Sequence, residues 1–314
     1  MSHAQHRVAL LGLAHVHVPD HLAVIEADPG LRLIAVWDGD GLHRKRFPDL
    51  ARASPAEALA GADLAVVDTP TADHEAVVAV VAERGIPLFV EKPLGRDGSE
   101  ARRIAELIDR AVVLFATGFF LRCLPALREA RELVCTGRLG RLVSADASFG
   151  HGGLADGVFA GETAWMLDPA RAGVGAFGDL GTHLLDVLRW LRPGVELTVD
   201  SAQLSVVPDQ ALDVAGTAQL AFADGVPCTV RASWVDHPGG LRVRLEGEQA
   251  SAVVEDGRLT VAGREERSGP PPDARDALRA FVADLRGEPV WERPTTADAV
   301  AVAQLVDDVY SLAP

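Results

Sequence analysis

The sequence predicts an α/β chain: a doubly wound parallel sheet, followed by an α+β domain with a large, mostly antiparallel open sheet. Two observations carry that expectation. Through residue 120, short apolar runs alternate with segments of helical period, the pattern of a parallel sheet covered on both faces. Beyond it, strand-like runs follow one another across short turns, the pattern of antiparallel pairing.

In order, Val8 to Gly12 reads as a buried strand and Asp20 to Ala27 as a helix stopped by Asp28-Pro29-Gly30. Leu31 to Trp37 is a second strand ending at Asp38, and Pro55 to Leu59 a short helix. Leu64 to Val67 is a strand, His74 to Glu83 a helix closed by Gly85, and Pro87 to Val90 a strand. Glu100 to Arg110 is a helix and Val112 to Ala116 a strand. The second half opens with an amphipathic helix, Pro125 to Val134, and an alternating strand, Leu142 to Ser148. Asp179 to Leu191 has the apolar face of a helix. Strand-like runs follow at Leu197–Val207, Gly216–Phe222, Cys228–Val235, Leu241–Leu245, Ala252–Glu255 and Leu259–Val261. Helices over Asp273–Arg286 and Thr296–Leu312 finish the chain. The expected division is 1–121 and 122–314, with the C-terminal helix able to pack back on the first domain.

Composition removes several function classes. With 45 acidic against 30 basic side chains, the net charge of −15 repels phosphate backbones and anionic membrane surfaces. No apolar run approaches the roughly 20 residues of a spanning helix, and Met1 to Arg7 lacks the pattern of a signal peptide. Three cysteines without CxxC spacing fit a reducing, cytoplasmic setting.

Gly12-Leu13-Ala14-His15-Val16-His17 lies where a strand turns into a helix, the place of a phosphate-binding loop. Only Gly12 fits the G-x-G-x-x-G pattern; Ala14 is small enough for a pyrophosphate to approach, and His15 and Val16 share the turn. As an ordinary βα turn the loop needs no ligand. Asp38 strengthens the dinucleotide reading, because a carboxylate ending the second strand accepts hydrogen bonds from ribose hydroxyls and repels a 2′-phosphate. It argues for NAD. Arg44-Lys45-Arg46 leaves NADP open, although a solvated helix face explains that run as well. His15, His17 and His21 invite a metal reading, but no carboxylate or thiolate stands beside them in the sequence, so no metal site is expected.

Glu91-Lys92-Pro93 follows the fourth strand, where the carboxyl ends of a parallel sheet form the ligand crevice. Lys92 there is placed to touch a substrate hydroxyl, and Pro93 is a candidate for a cis bond. Gly178-Asp179-Leu180-Gly181-Thr182-His183 opens a helix and sets Asp179 and His183 on one face. Removing hydride from an alcohol needs a base for the hydroxyl proton, which suits His183, with Asp179 orienting it or binding substrate. A solvent-facing lysine, and an Asp N-cap beside a partly buried histidine, are the plainer readings of each motif alone.

Together and in this order, these motifs resemble the Gfo/Idh/MocA oxidoreductases. The resemblance extends through Thr69-Pro70 with His74, Arg122 with Pro125, Gly137-Arg138-Leu139-Gly140, and Trp165 with Asp168. It implies a Rossmann domain and a second domain whose open sheet pairs subunits into a homodimer or homotetramer. It further implies catalysis by Lys92, His183 and Asp179, and an NAD site of Gly12, Ala14, His15, Val16, Asp38, Thr69, Pro70, His74, Glu91 and Lys92. Arg122, Trp165 and Asp179 would face a sugar or polyol. The chain departs from the family's glycine-rich loop at Ala14, a small change, and at His17, a large one. Besides hydride transfer, a catalytically silent NAD-binding sensor and a redox-neutral enzyme with recycled cofactor remain open. The loops from Gly150 to Ala172, with Asp156, Glu162, Trp165 and Arg171, are expected to shape the pocket.

Overall fold

A computed structural model describes residues 5–41 and 43–313. They form two compact units. The first comprises Met1–Gly118, Phe159–Gly173 and Ala274–Val300; the second comprises Phe119–Val158, Val174–Asp273 and Ala301–Pro314. The chain leaves the first unit after Gly118 and returns to it twice.

In the first unit, β1 (His6–Leu11), α1 (Val18–Ala27), β2 (Leu31–Trp37), α2 (Pro55–Ala58), β3 (Leu64–Val67), α3 (His74–Ala82), β4 (Leu88–Val90), α4 (Gly98–Ala111) and β5 (Phe115–Thr117) alternate as expected. The five strands are parallel, in the order β2-β1-β3-β4-β5. The central strands β3 and β4 are buried at every position, which explains why they read as unbroken apolar runs. Helix α1 begins two residues before its expected start, with Pro19 in the first turn, where no intrahelical N–H is needed. Asp97 caps α4 by accepting from the Glu100 backbone N–H at 2.7 Å. Val112 belongs to no strand. It takes a left-handed φ of 53° as the C-cap of α4, so β5 begins only at Phe115.

Gly12 opens the turn after β1 with φ +98°. A Cβ there would lie 2.3 Å from both Asp68 C and Thr69 N, so the glycine is required by the neighbouring strand end. Gly12→Ala is expected to cost about 1–3 kcal/mol in backbone strain alone, read as a lowered thermal midpoint. An unchanged midpoint would show that the turn relaxes freely.

The second unit begins with α5 (Pro125–Cys135) and β6 (Leu142–Gly150). After α6 (Pro169–Ala172), which belongs to the first unit, α7 (Thr182–Leu191) leads into β7 (Leu197–Ser205), β8 (Ala215–Phe222), β9 (Pro227–Ser233), β10 (Gly240–Gly247), β11 (Ser251–Glu255), β12 (Arg258–Val261) and β13 (Arg264–Arg267). These strands form one sheet, β13-β12-β11-β10-β6-β9-β8-β7, antiparallel except for the β6–β9 pair. Burial alternates along β8 and β10, so one face carries the core and the other meets solvent. Strand β13 escaped the sequence because Arg-Glu-Glu-Arg is exposed throughout and has no apolar alternation.

Helix α8 (Arg275–Leu285) lies in the first unit, where Phe281 packs on Phe89 of β4. Helix α9 (Thr296–Leu312) ends in the second.

Candidate functional site

In the first unit, the carboxyl ends of the parallel strands border a cleft of about 660 Å³. It is lined by Ala14, Asp38, Thr69, Pro70, Glu162 and Trp165, among others. Four predicted cofactor residues thus meet on one cavity. Asp38 is buried and already engaged: Oδ2 accepts from the Leu13 N–H at 2.9 Å and Oδ1 from the Asp40 N–H at 2.8 Å. Arg44 donates to the Asp38 carbonyl at 3.0 Å, and Arg46 pairs with Glu162 at 2.9 Å. Trp165 donates its indole N–H to the Ala14 carbonyl at 2.9 Å, which holds the segment Phe159–Gly173 over the β1–α1 turn.

The other expected cofactor residues lie elsewhere in the unit. His74 is buried, with Nδ1 and Nε2 each 3.1 Å from the carbonyls of Leu94 and Thr69 respectively. Burial lowers its pKa, and a neutral ring carries one proton between two carbonyls. The ring thereby staples the loop after β3 to the loop after β4. Lys92 is buried at the end of β4, before a cis peptide bond to Pro93.

Beside Lys92 stands a cluster whose carboxylates the sequence did not place next to the histidines. Glu91 Oε1 lies 3.0 Å from His17 Nδ1 and 3.4 Å from His21 Nε2. Its other oxygen accepts the Lys92 N–H at 2.9 Å. His21 Nδ1 lies 2.8 Å from Asp68 Oδ2. Burial alone would lower the His21 pKa, but Asp68 and Glu91 outweigh it and raise the ring to about 9. Burial alone would raise Glu91, yet the surrounding imidazoles, His17 foremost, hold it well below the usual carboxylate range. His15, buried with little to offset desolvation, falls well below the ordinary imidazole value. The premise that no carboxylate stands beside these histidines is therefore corrected: β3 and β4 deliver Asp68 and Glu91 to α1 and its turn.

In the second unit, the expected helix start at Asp179 is also revised. Phe177–Gly181 winds as a π-turn before α7, so Asp179 lies inside the winding and is not an N-cap. Such turns are common at functional sites. Asp179 Oδ2 accepts the Trp234 indole N–H at 2.8 Å. Asp213 anchors the turn by accepting the Phe177 N–H at 2.7 Å, and the Tyr310 hydroxyl donates to the same carboxylate. His183 is buried among Phe120, Phe149 and Phe119, with ring centroids 4.5, 6.1 and 6.3 Å away.

Arg122, expected to line the cleft, instead sits buried against Asp186 in a two-point ion pair, Nε–Oδ2 2.8 Å and Nη2–Oδ1 2.5 Å. Its guanidinium clamps the turn Phe120–Cys123 to α7, one turn beyond His183. Of the pocket loop, Glu162, Trp165 and Arg171 line the first unit's cleft. Asp156 belongs to the second unit, 3.9 Å from His237. Sequence reasoning missed Asp68, Asp213, Trp234 and Tyr310. Asp68 alone left a signal, as a charge ending an apolar strand.

No helix among the described residues is long and apolar enough to cross a membrane. Comparison with known proteins agrees with the fold. Residues 6–119 match the family model described as an oxidoreductase family with an NAD-binding Rossmann fold, and residues 127–253 match the GFO/IDH/MocA C-terminal domain. The rhizopine catabolism protein MocA of Rhizobium meliloti is 34% identical over 130 residues, 41% of this chain and 38% of that protein. The matched stretch thus spans well under half of that relative. The scyllo-inositol 2-dehydrogenase (NAD(+)) of Bacillus subtilis is 26% identical over 271 residues, 83% of this chain and 72% of its own. Among solved structures, GenD2 from gentamicin A biosynthesis, in complex with NAD, superposes with a TM-score of 0.81 at 26% identity, covering 99% of this chain and 94% of that one. An inositol dehydrogenase homolog from Azotobacter vinelandii reaches a TM-score of 0.85 at 20% identity, over 99% and 95%, a likeness of fold. With both of its domain models matched in order along the chain, this protein belongs to the GFO/IDH/MocA oxidoreductase family, and its first unit is an NAD-binding Rossmann domain.

Proposed function

We propose that the protein is an NAD-dependent oxidoreductase that moves a hydride between a nicotinamide and a hydroxyl-bearing carbon of a sugar or polyol. The observation that carries this reading is Lys92, buried at the carboxyl end of β4 in the NAD-binding unit. A cationic side chain at that strand end is placed to stabilise negative charge developing on a ligand oxygen. The family relatives named as inositol dehydrogenases support the substrate class.

The residues present fit a dinucleotide. Ala14, Asp38, Thr69 and Pro70 border one cleft, and Asp38 brings a carboxylate to it at the end of the second strand. When bound, the nicotinamide supplies the hydride acceptor. In the oxidative direction the substrate loses a C–H bond as hydride and an O–H bond as a proton, and becomes a carbonyl. His183 takes the proton, because an imidazole nitrogen serves as a general base for a hydroxyl. Lys92 holds the reacting oxygen and stabilises its developing negative charge. Asp179, fixed by Trp234, orients the substrate. Subunits pair through the second unit's sheet, which light scattering would test.

Trp165 favours a second reading. By tying its segment to Ala14 it supports a retained cofactor, and hence a redox-neutral reaction through a transient ketone. Screening purified protein against sugars and polyols with NAD and NADP, and reading the reduced nicotinamide, tests the first reading. Turnover with NAD is the expected result. Co-purified cofactor with no net NADH from converted substrate would transfer the assignment to the second, and inertness on both counts would reject both.

A further inference from the structure

We propose that His15, His17 and Glu91 form a binding site for a divalent transition metal of the zinc class. One donor atom from each lies within 4.8 Å of the other two. The proposal concerns the NAD-binding unit alone and stands whether or not hydride transfer is the reaction.

The donor set comes first. Two imidazoles and one carboxylate are the protein ligands of many zinc and iron(II) centres, and they leave positions open for water or a ligand oxygen. Calcium and magnesium prefer all-oxygen sites, so the imidazoles select against them. Donors about 2.1 Å from a shared ion lie roughly 3 Å or slightly more from one another. His17 Nδ1 and Glu91 Oε1 are already 3.0 Å apart. His15 Nδ1 accepts the His17 backbone N–H at 3.2 Å, which holds the ring beside His17.

The surroundings complete the case. Metal-bound carboxylates are themselves held by hydrogen bonds. The Lys92 N–H donates to Glu91 Oε2, and His21, oriented by Asp68, points Nε2 at Glu91 Oε1 from 3.4 Å. Among the described residues His21 Nε2 is buried and makes no hydrogen bond of ordinary geometry, so tightening toward a metal-drawn Glu91 would satisfy it. Gly118 makes room for that carboxylate: a Cβ there would lie 2.6 Å from Glu91 Oε2. His21, Asp68 and Glu91 also lie within reach of a common ion. Both nitrogens of His21 already face carboxylates, however, so His21 serves as the outer support and His15 as the ligand. An ion also needs a way in. His17 keeps 18% of its side chain exposed while Glu91 keeps 1%, so the site opens on the His17 side.

The test uses the full chain, stripped with a chelator and titrated with Zn²⁺ against a chromophoric competitor. In parallel, Co²⁺ is added and its visible spectrum recorded. One Zn²⁺ per chain is expected, together with the intense cobalt absorption of four- or five-coordination. His17→Gln should weaken binding by more than the roughly 10–100-fold typical of an outer-shell change, and His21→Gln by about that range. His237→Gln, on the surface of the other unit, should leave it unchanged. Absence of stoichiometric Zn²⁺, or a His17→Gln protein that binds as tightly as the parent, would overturn the proposal and leave a hydrogen-bonded network. Should His17→Gln fail to fold, the cobalt spectrum of the parent still decides: weak octahedral absorption rejects the site.

Discussion

Lys92→Met is expected to lower kcat/KM by about 10²–10⁴, the range of a group that handles a proton or a developing charge in the transition state. That is about 3–5 kcal/mol of transition-state stabilisation. Methionine keeps most of the stem's volume in a position that is 3% exposed, so the fold should survive the loss of the charge. Steady-state kinetics with NAD and whichever sugar or polyol the screen identifies would give the number, and calorimetry would show whether NAD still binds. A loss confined to KM would mean that Lys92 only binds substrate. A change under threefold would remove it from the reaction.

The second large effect concerns stability. Arg122→Ala takes the two-point ion pair away from the buried Asp186, on the turn of helix that carries His183. Breaking one partner of a buried pair costs about 3–5 kcal/mol. A chain of this size should then lose on the order of 10 °C in thermal midpoint. Asp186→Leu alone should cost a similar amount, because the buried guanidinium then loses its carboxylate. Joining Arg122→Met to Asp186→Leu should recover most of the loss, since a well-packed apolar pair avoids the desolvation penalty altogether. Additive losses in the double variant would mean that the two side chains are not coupled and that each stabilises the fold through other contacts. Single variants within about 1 kcal/mol of the parent would mean that water reaches the pair.

Much of the architecture was legible because burial writes a period into the sequence. The apolar runs at Leu64–Val67 and Leu88–Val90 became central strands buried on both faces, and the alternation along Gly216–Phe222 became a half-buried antiparallel strand. Where local pattern and final state parted, a non-local or steric cause is visible. The apolar start of Val112–Ala116 was lost to a left-handed helix cap, and the charged β13 exists because β12 offers it an edge. The expected helix start at Asp179 was displaced because Asp213, from a distant segment, accepts the Phe177 N–H and sets the turn two residues earlier.

By itself, the sequence determined the order of the two sheets, the strand-to-helix turn at Gly12 with Asp38 at the end of the next strand, and the candidates Lys92 and His183. These follow from local periodicity and from residue chemistry at strand and helix ends, which neighbours along the chain suffice to encode. Tertiary structure alone decided partnership. It gave Arg122 to Asp186 and Trp165 to Ala14, and it brought Asp68 and Glu91 to His15, His17 and His21. The reason is geometric: parallel strands distant in sequence end side by side, so side chains many residues apart meet at one sheet edge, and no spacing along the chain records that meeting.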